Sequence, residues 1–397
     1  MRPAPPALRG VAAVLEAARA EGVASALSAC VLAGGRTVHA SFHGQVEEGG
    51  AARDLRPDDL FDVASLTKVL ATTGVAALLV ARGQMELDAP AAAYLPGFER
   101  EGKGAVTVRQ LLAHSSGLPA WRPYFELAAR HQFARAAFLP PGQRPPPEAL
   151  AAAFLQGRLA VAQAACQEPL EAPPGTRALY SDVGFIALGV VLEAAGRASL
   201  ADQAEEGLFR PLGLSRTFFL DGLFPAASRA RAAGHTFVPT GESKARRELC
   251  RGAVQDDNAW AMGGVAGHAG LFSTAAEVAA VGQAWLDALE GRPSPLPAAA
   301  ARALARRDPT PGSDRALGWD TPGGPAPALG DRLGRGPRGA IGHLGYTGCS
   351  LWLDRDEGLV CALLSNHTHP SGQARREEIR RLRRSFHEAV GAALAAP

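Results

Sequence analysis

Strand-like and helical segments are segregated along this chain, and that segregation restricts the folds open to it. Ala26 to Ala33 and Thr37 to His43 read as two strands around Gly34-Gly35, a hairpin pattern near the N-terminus. Near the C-terminus, Ser350 to Leu353 and Leu359 to Leu364 flank a turn at Asp354 to Gly358. Between these pairs the spacing is helical: Val106 to Ala113, Asp182 to Ala195 closed by Gly196, and Ala201 to Phe209 ended before Pro211. Ala275 to Leu289 follows the cap candidates Ser273 and Thr274, and helical patterns also occupy Gly10 to Ala20 and the basic C-terminal segment from Arg375. Strands this far apart in sequence form one sheet only if the two ends of the chain meet. The expected fold class is therefore α/β (α+β), an antiparallel sheet flanked by helices with an inserted all-helical subdomain. Residues 1–85 and 250–397 are expected to form the sheet subdomain and 86–249 the mainly helical insertion, with one catalytic site at their junction.

Composition narrows function by exclusion. Lys plus Arg number 41 against 39 Asp plus Glu, and a balance of +2 implies no nucleic-acid, membrane-surface or polyanion partner. Val183 to Leu192, read as the longest charge-free apolar stretch in a helical pattern, falls far short of the roughly 18 residues of a membrane span. Val11 to Val23 is interrupted by Glu16, Arg19 and Glu21, so no secretory h-region forms and a cytoplasmic chain is expected. Cys30, Cys166, Cys250, Cys349 and Cys361 are odd in number and lack a C-x-x-C pair, which predicts reduced thiols, with Cys30 and Cys361 in the core.

The cations carry more information than their sum. Only Lys68, Lys103 and Lys244 are lysines, and every other basic residue is arginine. Lys103 and Lys244 lie in polar loop text where arginine would serve as well. Lys68 ends Ser65-Leu66-Thr67-Lys68, at a helix start that continues through Val69, Leu70, Val75 and Leu79 to Gly83. A hydroxyl and an ammonium at i and i+3 are neighbours on one helix face. A serine attacks a carbonyl when a nearby group takes its proton, and an amine can do so once an apolar environment lowers its pKa. Arginine stays protonated and cannot. The competing reading is a helix-capping serine beside a solvated lysine.

Two further segments carry candidate chemistry. Tyr180-Ser181-Asp182 precedes the helix at Val183; a phenol near Lys68 can relay protons, and Asp182 can hold the lysine or act as the helix N-cap. Gly342-His343-Leu344-Gly345-Tyr346-Thr347-Gly348 enters the penultimate strand, where His343 begins a strand that could line a cleft. His268, in the glycine-dense Gly263 to Gly270 loop, reads as structural.

In this order the Ser-x-x-Lys helix start, "HSSGLP" from His114, "PPGTRALYSD" from Pro173, "GGVAGHAGLFST" from Gly263 and the His-x-Gly segment resemble the serine β-lactamase and penicillin-recognising enzyme superfamily. The resemblance spans nearly the whole chain and is closest to class C β-lactamase-like esterases and D-alanyl-D-alanine carboxypeptidases. It implies a β-lactamase/transpeptidase-like fold and a serine hydrolase acting through an acyl-enzyme on a small-molecule or short-peptide ester or amide, with no cofactor and no metal. It implies Ser65 as nucleophile, Lys68 as general base or proton partner, Tyr180 as proton shuttle, and the backbone amides of Ser65 and Tyr346 as oxyanion hole. His343, Gly345 and Tyr346 would contact substrate, with Asp182 and His343 in support. Two departures bear on substrate. Asp182 stands where β-lactamases usually have asparagine, and His343-Leu344-Gly345 where they have Lys-Thr-Gly, so efficient β-lactam hydrolysis is less expected than hydrolysis of another ester or amide.

Two alternatives of other classes stand beside this. One is a non-catalytic ligand-binding module on the same fold. The other is a metal-dependent hydrolase using His367, His369 and the Asp256-Asp257 pair, although no diagnostic third ligand accompanies them.

Overall fold

A computed structural model describes residues 8–323 and 328–394. Its main sheet has six antiparallel strands in the order Ala51–Asp54, Arg36–Glu48, Ala26–Ala33, Leu359–Ser365, Ser350–Asp354 and Ala340–Leu344. The two ends of the chain meet at its centre, where Cys30 pairs with Ala362 and Val31 with Cys361. Leu27, Ala29 and Val31 face the Arg9–Ala20 and Arg376–Leu394 helices, whereas Ala26, Cys30 and Leu32 face the larger core with Val281 and Trp285 of the Ala275–Glu290 helix. Both faces are covered, which is why these strands are apolar throughout instead of alternating. Cys30 and Cys361 are core residues on opposite faces.

The edge strand Ala340–Leu344 departs from expectation. His343 sits near the end of this separate strand, and a turn intervenes before Ser350–Asp354. Helices are the main regular structure of 86–249, but that region is not all-helical. Phe218–Phe219 joins a three-stranded sheet with Phe61–Asp62 and Leu271–Ser273, and Gly241–Ser243 pairs with Glu248–Cys250. The small sheet ties the segment entering Ser65 to the segment leaving the glycine-dense loop.

Two helical stretches, Ala64–Ala81 and Pro147–Gln167, are long and apolar enough by length and composition to cross a membrane. Val183 to Leu192 is therefore not the limiting case that the sequence suggested. Of the first stretch, 83% is buried inside the fold, and of the second 39%. The apolarity of Ala64–Ala81 reflects its place as the core helix that carries Ser65 and Lys68.

Candidate active site

The chain reaches Ser65 through a constrained turn. Ala64 has φ +48°, a left-handed conformation costing an alanine about 1 kcal/mol. The Asp62 carboxylate accepts the Ala64 N–H at 2.9 Å and the Gln255 N–H at 2.7 Å, and Thr67 donates from Oγ1 to Ala64 O at 2.7 Å. Burial pushes the Asp62 carboxyl up to about 6 against those hydrogen bonds. Ala64–Leu66 is a 3₁₀ turn, in which residues i and i+3 eclipse, and Lys68–Thr72 widens to a π-turn before Thr73–Ala81 continues as α-helix. From the first position of the π-turn, Lys68 places Nζ 3.1 Å from Ser65 Oγ.

Lys68 is fully buried, and its ammonium donates three hydrogen bonds: to Ser65 Oγ, to Asp182 Oδ1 at 2.7 Å and to His268 O at 3.1 Å. Burial alone would lower its pKa, but the Asp182 carboxylate and then Tyr180 outweigh it and hold the group above its ordinary value. The apolar neighbours therefore do not free the amine, as its sequence surroundings suggested; the ion pair keeps it an ammonium. Asp182 can reach Lys68 because it is not the N-cap. Ser181 caps the Asp182–Gly196 helix, accepting from Gly184 N–H at 2.8 Å, and the aspartate is left in the first turn with its carboxylate toward the site.

Tyr180 lies against Lys68, whose Nζ is 4.9 Å from the ring centroid. Burial raises the phenol pKa, with Lys68 opposing. His114 and His343 flank the ring at centroid separations of 4.5 and 5.9 Å, and the Arg315 guanidinium, ion-paired to Asp320, sits 5.1 Å from its centre. Burial and then nearby cations hold both imidazoles well below their usual pKa, so both are neutral.

The turn after His343 is drawn onto the Ser65 segment. Thr347 donates from Oγ1 to Asp62 O at 2.9 Å. A Cβ on Gly345 would meet Val63 O at 2.7 Å, so the close approach requires glycine there. Among the described residues, neither Ser65 N–H nor Tyr346 N–H has an acceptor. Two unpaired amides on facing segments suit a developing oxyanion.

Ser65, Tyr180, Asp182 and Tyr346 line one cavity of about 470 Å³, together with the aromatic Trp121 and Phe125 and the polar Asp256, Asn258 and His268. His343 and Gly345 are not on that lining. His343 is buried beneath Tyr180, with Nδ1 2.8 Å from Leu344 O, and so is placed to act on substrate only through the tyrosine or the backbone.

His268 belongs to the site, contrary to its sequence reading. Its carbonyl accepts from Lys68 and its Nε2 lies 2.9 Å from Asp256 Oδ1. Although burial raises the Asp256 pKa, His268 and the Ala259 amide bring it down to about 2. Gly267 allows this placement, because a Cβ there would strike Phe185 O at 2.1 Å. Lys103 is not a loop cation replaceable by arginine: it is fully buried, donates to Glu168 O at 2.9 Å, and burial lowers its pKa. Lys244 is exposed. His367 is unsuited to ligate a metal, since its Nδ1 meets Val23 O at 2.6 Å and its Nε2 accepts the Arg375 N–H at 2.9 Å. Asp256 is engaged by His268 and Asp257 by Arg246.

A family model described as Beta-lactamase matches residues 11–384. The chain is 30% identical over 329 residues to a protein named "Putative D-alanyl-D-alanine carboxypeptidase" from Escherichia coli (strain K12), covering 78% of this chain and 69% of that one. It is 29% identical over 327 residues to the N-acetylmuramyl-L-alanine amidase of Bacillus subtilis (strain 168), covering 78% and 68%. A penicillin-binding protein homologue from Caulobacter crescentus superposes with TM-score 0.68 at 19% identity over 98% of each chain. EstCE1, a hydrolase with promiscuous acyltransferase activity, superposes with TM-score 0.66 at 19% identity over 96% of this chain and 98% of its own.

Proposed function

The chain belongs to the Beta-lactamase family, a family of hydrolases, and on that premise we propose that it cleaves an ester or amide through an acyl-enzyme on Ser65. The observation that carries this reading is the 3.1 Å contact between Lys68 Nζ and Ser65 Oγ beside Tyr180, at the wall of a cavity large enough for a small substrate. Ser65 Oγ attacks the carbonyl, and the amides of Ser65 and Tyr346 receive the oxyanion. Lys68 and Tyr180 act as a coupled pair that takes the serine proton when the pair is one proton short, and returns it to the leaving group. Asp182 holds the ammonium and His343 supports the tyrosine from below. Residues 86–249 form an inserted subdomain in this reading, supplying Trp121, Phe125, Tyr180 and Asp182 to one side of the cleft.

The relatives named carboxypeptidase and amidase favour a short peptide as substrate, and EstCE1 favours an ester. The neutral His343 and the anionic Asp182 make an efficient β-lactamase the weaker alternative. A fluorophosphonate probe should attach to Ser65, and nitrocefin, short-chain nitrophenyl esters and D-Ala-D-Ala peptides should separate the substrate classes. No adduct at Ser65, together with unchanged hydrolysis by Ser65→Ala, would overturn the proposal and leave the non-catalytic binding module.

A further inference from the structure

Arg383 is a buried charge in the C-terminal helix, 6% exposed, and among the described residues its guanidinium hydrogen-bonds to backbone carbonyls and makes no ion pair. Its guanidinium is spent on one turn. Nη2 donates to Gly345 O at 2.6 Å and to Cys349 O at 2.8 Å, and Nε donates to Gly348 O at 3.3 Å. Burial lowers its pKa to about 10, which still leaves it charged at neutral pH. A buried cation is costly, and it is compensated here by three carbonyl dipoles in direct contact and by the Asp320 charge at longer range.

Gly345 C=O and Tyr346 N–H belong to the same peptide unit. Peptide resonance moves electron density from nitrogen to oxygen, and a cation hydrogen-bonded at the oxygen favours that polarised form. The positive character this adds falls on the N–H, and hydrogen-bonded chains strengthen one another in this way in a dry site. The Tyr346 N–H is the one left without an acceptor beside the Ser65 segment.

We infer that Arg383 is a positioning residue for the oxyanion site, fixing the 345–349 turn and polarising the Gly345–Tyr346 peptide so that the Tyr346 N–H becomes the stronger donor. This rests on the reading of that amide as an oxyanion donor. A purely structural arginine would anchor the helix to the turn without changing the amide.

The test begins with a readout that does not need activity. The chain has four tyrosines, so selective ¹⁵N-tyrosine labelling leaves Tyr346 readily assigned. In Arg383→Met its amide nitrogen should move upfield, with Tyr94 and Tyr124 unchanged, and Arg383→Lys should move it less. For the best ester substrate, kcat should fall by roughly ten- to a hundredfold in Arg383→Met with KM changed less than about twofold. Affinity for phenylboronic acid, which forms a tetrahedral adduct on a nucleophilic serine, should fall in step with kcat/KM. An unmoved Tyr346 resonance in a folded variant, or lower thermal stability with unchanged kcat, overturns the inference. If Arg383→Met does not fold, Arg383→Lys decides by the same resonance and the same kcat. Wild-type Ser65 that takes up no fluorophosphonate defeats the hydrolase reading instead, independently of the resonance.

Discussion

Lys68 Nζ and Asp182 Oδ1 lie 2.7 Å apart with the lysine fully buried, so the charge of the only lysine beside Ser65 is set by a residue 114 positions away. The folded-state pKa of Lys68 is raised, so the pair stabilises fully below the unfolded lysine value near 10.5 and fades as pH climbs through the folded one. Asp182→Asn reverses the sign. With its largest opponent gone, burial outweighs what Tyr180 still contributes, the folded pKa drops below the unfolded one, and stability should rise as pH climbs from 7 toward 10. At pH 7 the loss should be about 3 kcal/mol, the scale of an uncompensated buried charge. Urea denaturation at several pH values measures both effects; a variant with the wild-type pH trend would show that the carboxylate does not hold the lysine.

Lys68→Arg should be as damaging as Lys68→Ala. Three acceptors converge on a buried ammonium, and a planar guanidinium neither matches them nor gives up a proton. Both variants should lose about a hundredfold or more in kcat, the scale of general acid–base catalysis. Near wild-type turnover in the arginine variant would show that positive charge alone suffices.

Much of this was legible in the sequence because it is local. The two central strands, one from each end, announce themselves by nearly unbroken apolar runs, and Ser65 and Lys68 are three residues apart. What was not legible depends on distant partners. Ser181 displaces Asp182 from the cap by one residue, which no pattern distinguishes, yet that displacement lets the carboxylate reach Lys68. His268 sits 200 residues from Lys68 in a glycine-dense loop that read only as structural. Lys103 read as a cation in polar loop text, and nothing marked Arg383 out from the other arginines of the C-terminal helix, because burial depends on what packs over a residue. The strand Ala340–Leu344 is short and follows glycine- and proline-rich text, so only its pairing with Ser350–Asp354 reveals it.

Asp62 predicts a second pH dependence of opposite cause. Its folded pKa of about 6 lies above the unfolded carboxylate value, so the native state binds the extra proton between about pH 4 and 6 and gains stability as pH falls through that window. A shift of this size corresponds to about 3 kcal/mol at most. Relative to Asp62→Asn, the wild type should therefore become more stable from pH 7 to 4 in parallel denaturation series. A difference that stays constant, or grows with pH, would mean Asp62 remains ionised throughout.

Gly345→Ala isolates the oxyanion geometry. The new methyl meets Val63 O at 2.7 Å and pushes the 345–349 turn from the Ser65 segment, while Ser65, Lys68 and Tyr180 keep their contacts. Loss of one oxyanion donor costs about a hundredfold in kcat or more. The expected variant is folded, still acylated by fluorophosphonate at a reduced rate, and low in kcat. Unchanged kcat would place the oxyanion donors elsewhere.

His343 separates this site from one with lysine at that position. Its ring is buried, lies 5.9 Å from Tyr180, and is kept neutral by burial and by the Lys68 and Arg315 charges, so it has no proton to gain between pH 5 and 8. Any ionisation affecting the rate in that window must come from elsewhere, and Asp62, with a pKa of about 6 under the Ser65 turn, is the group placed to supply it. His343→Gln should lower kcat by loosening Tyr180 while leaving the midpoint of the pH–rate profile where it is. In Asp62→Asn that midpoint should vanish. Were the limb lost in His343→Gln and retained in Asp62→Asn, the assignment would be reversed, and the imidazole would be a titrating member of the site instead of the neutral support beneath its tyrosine.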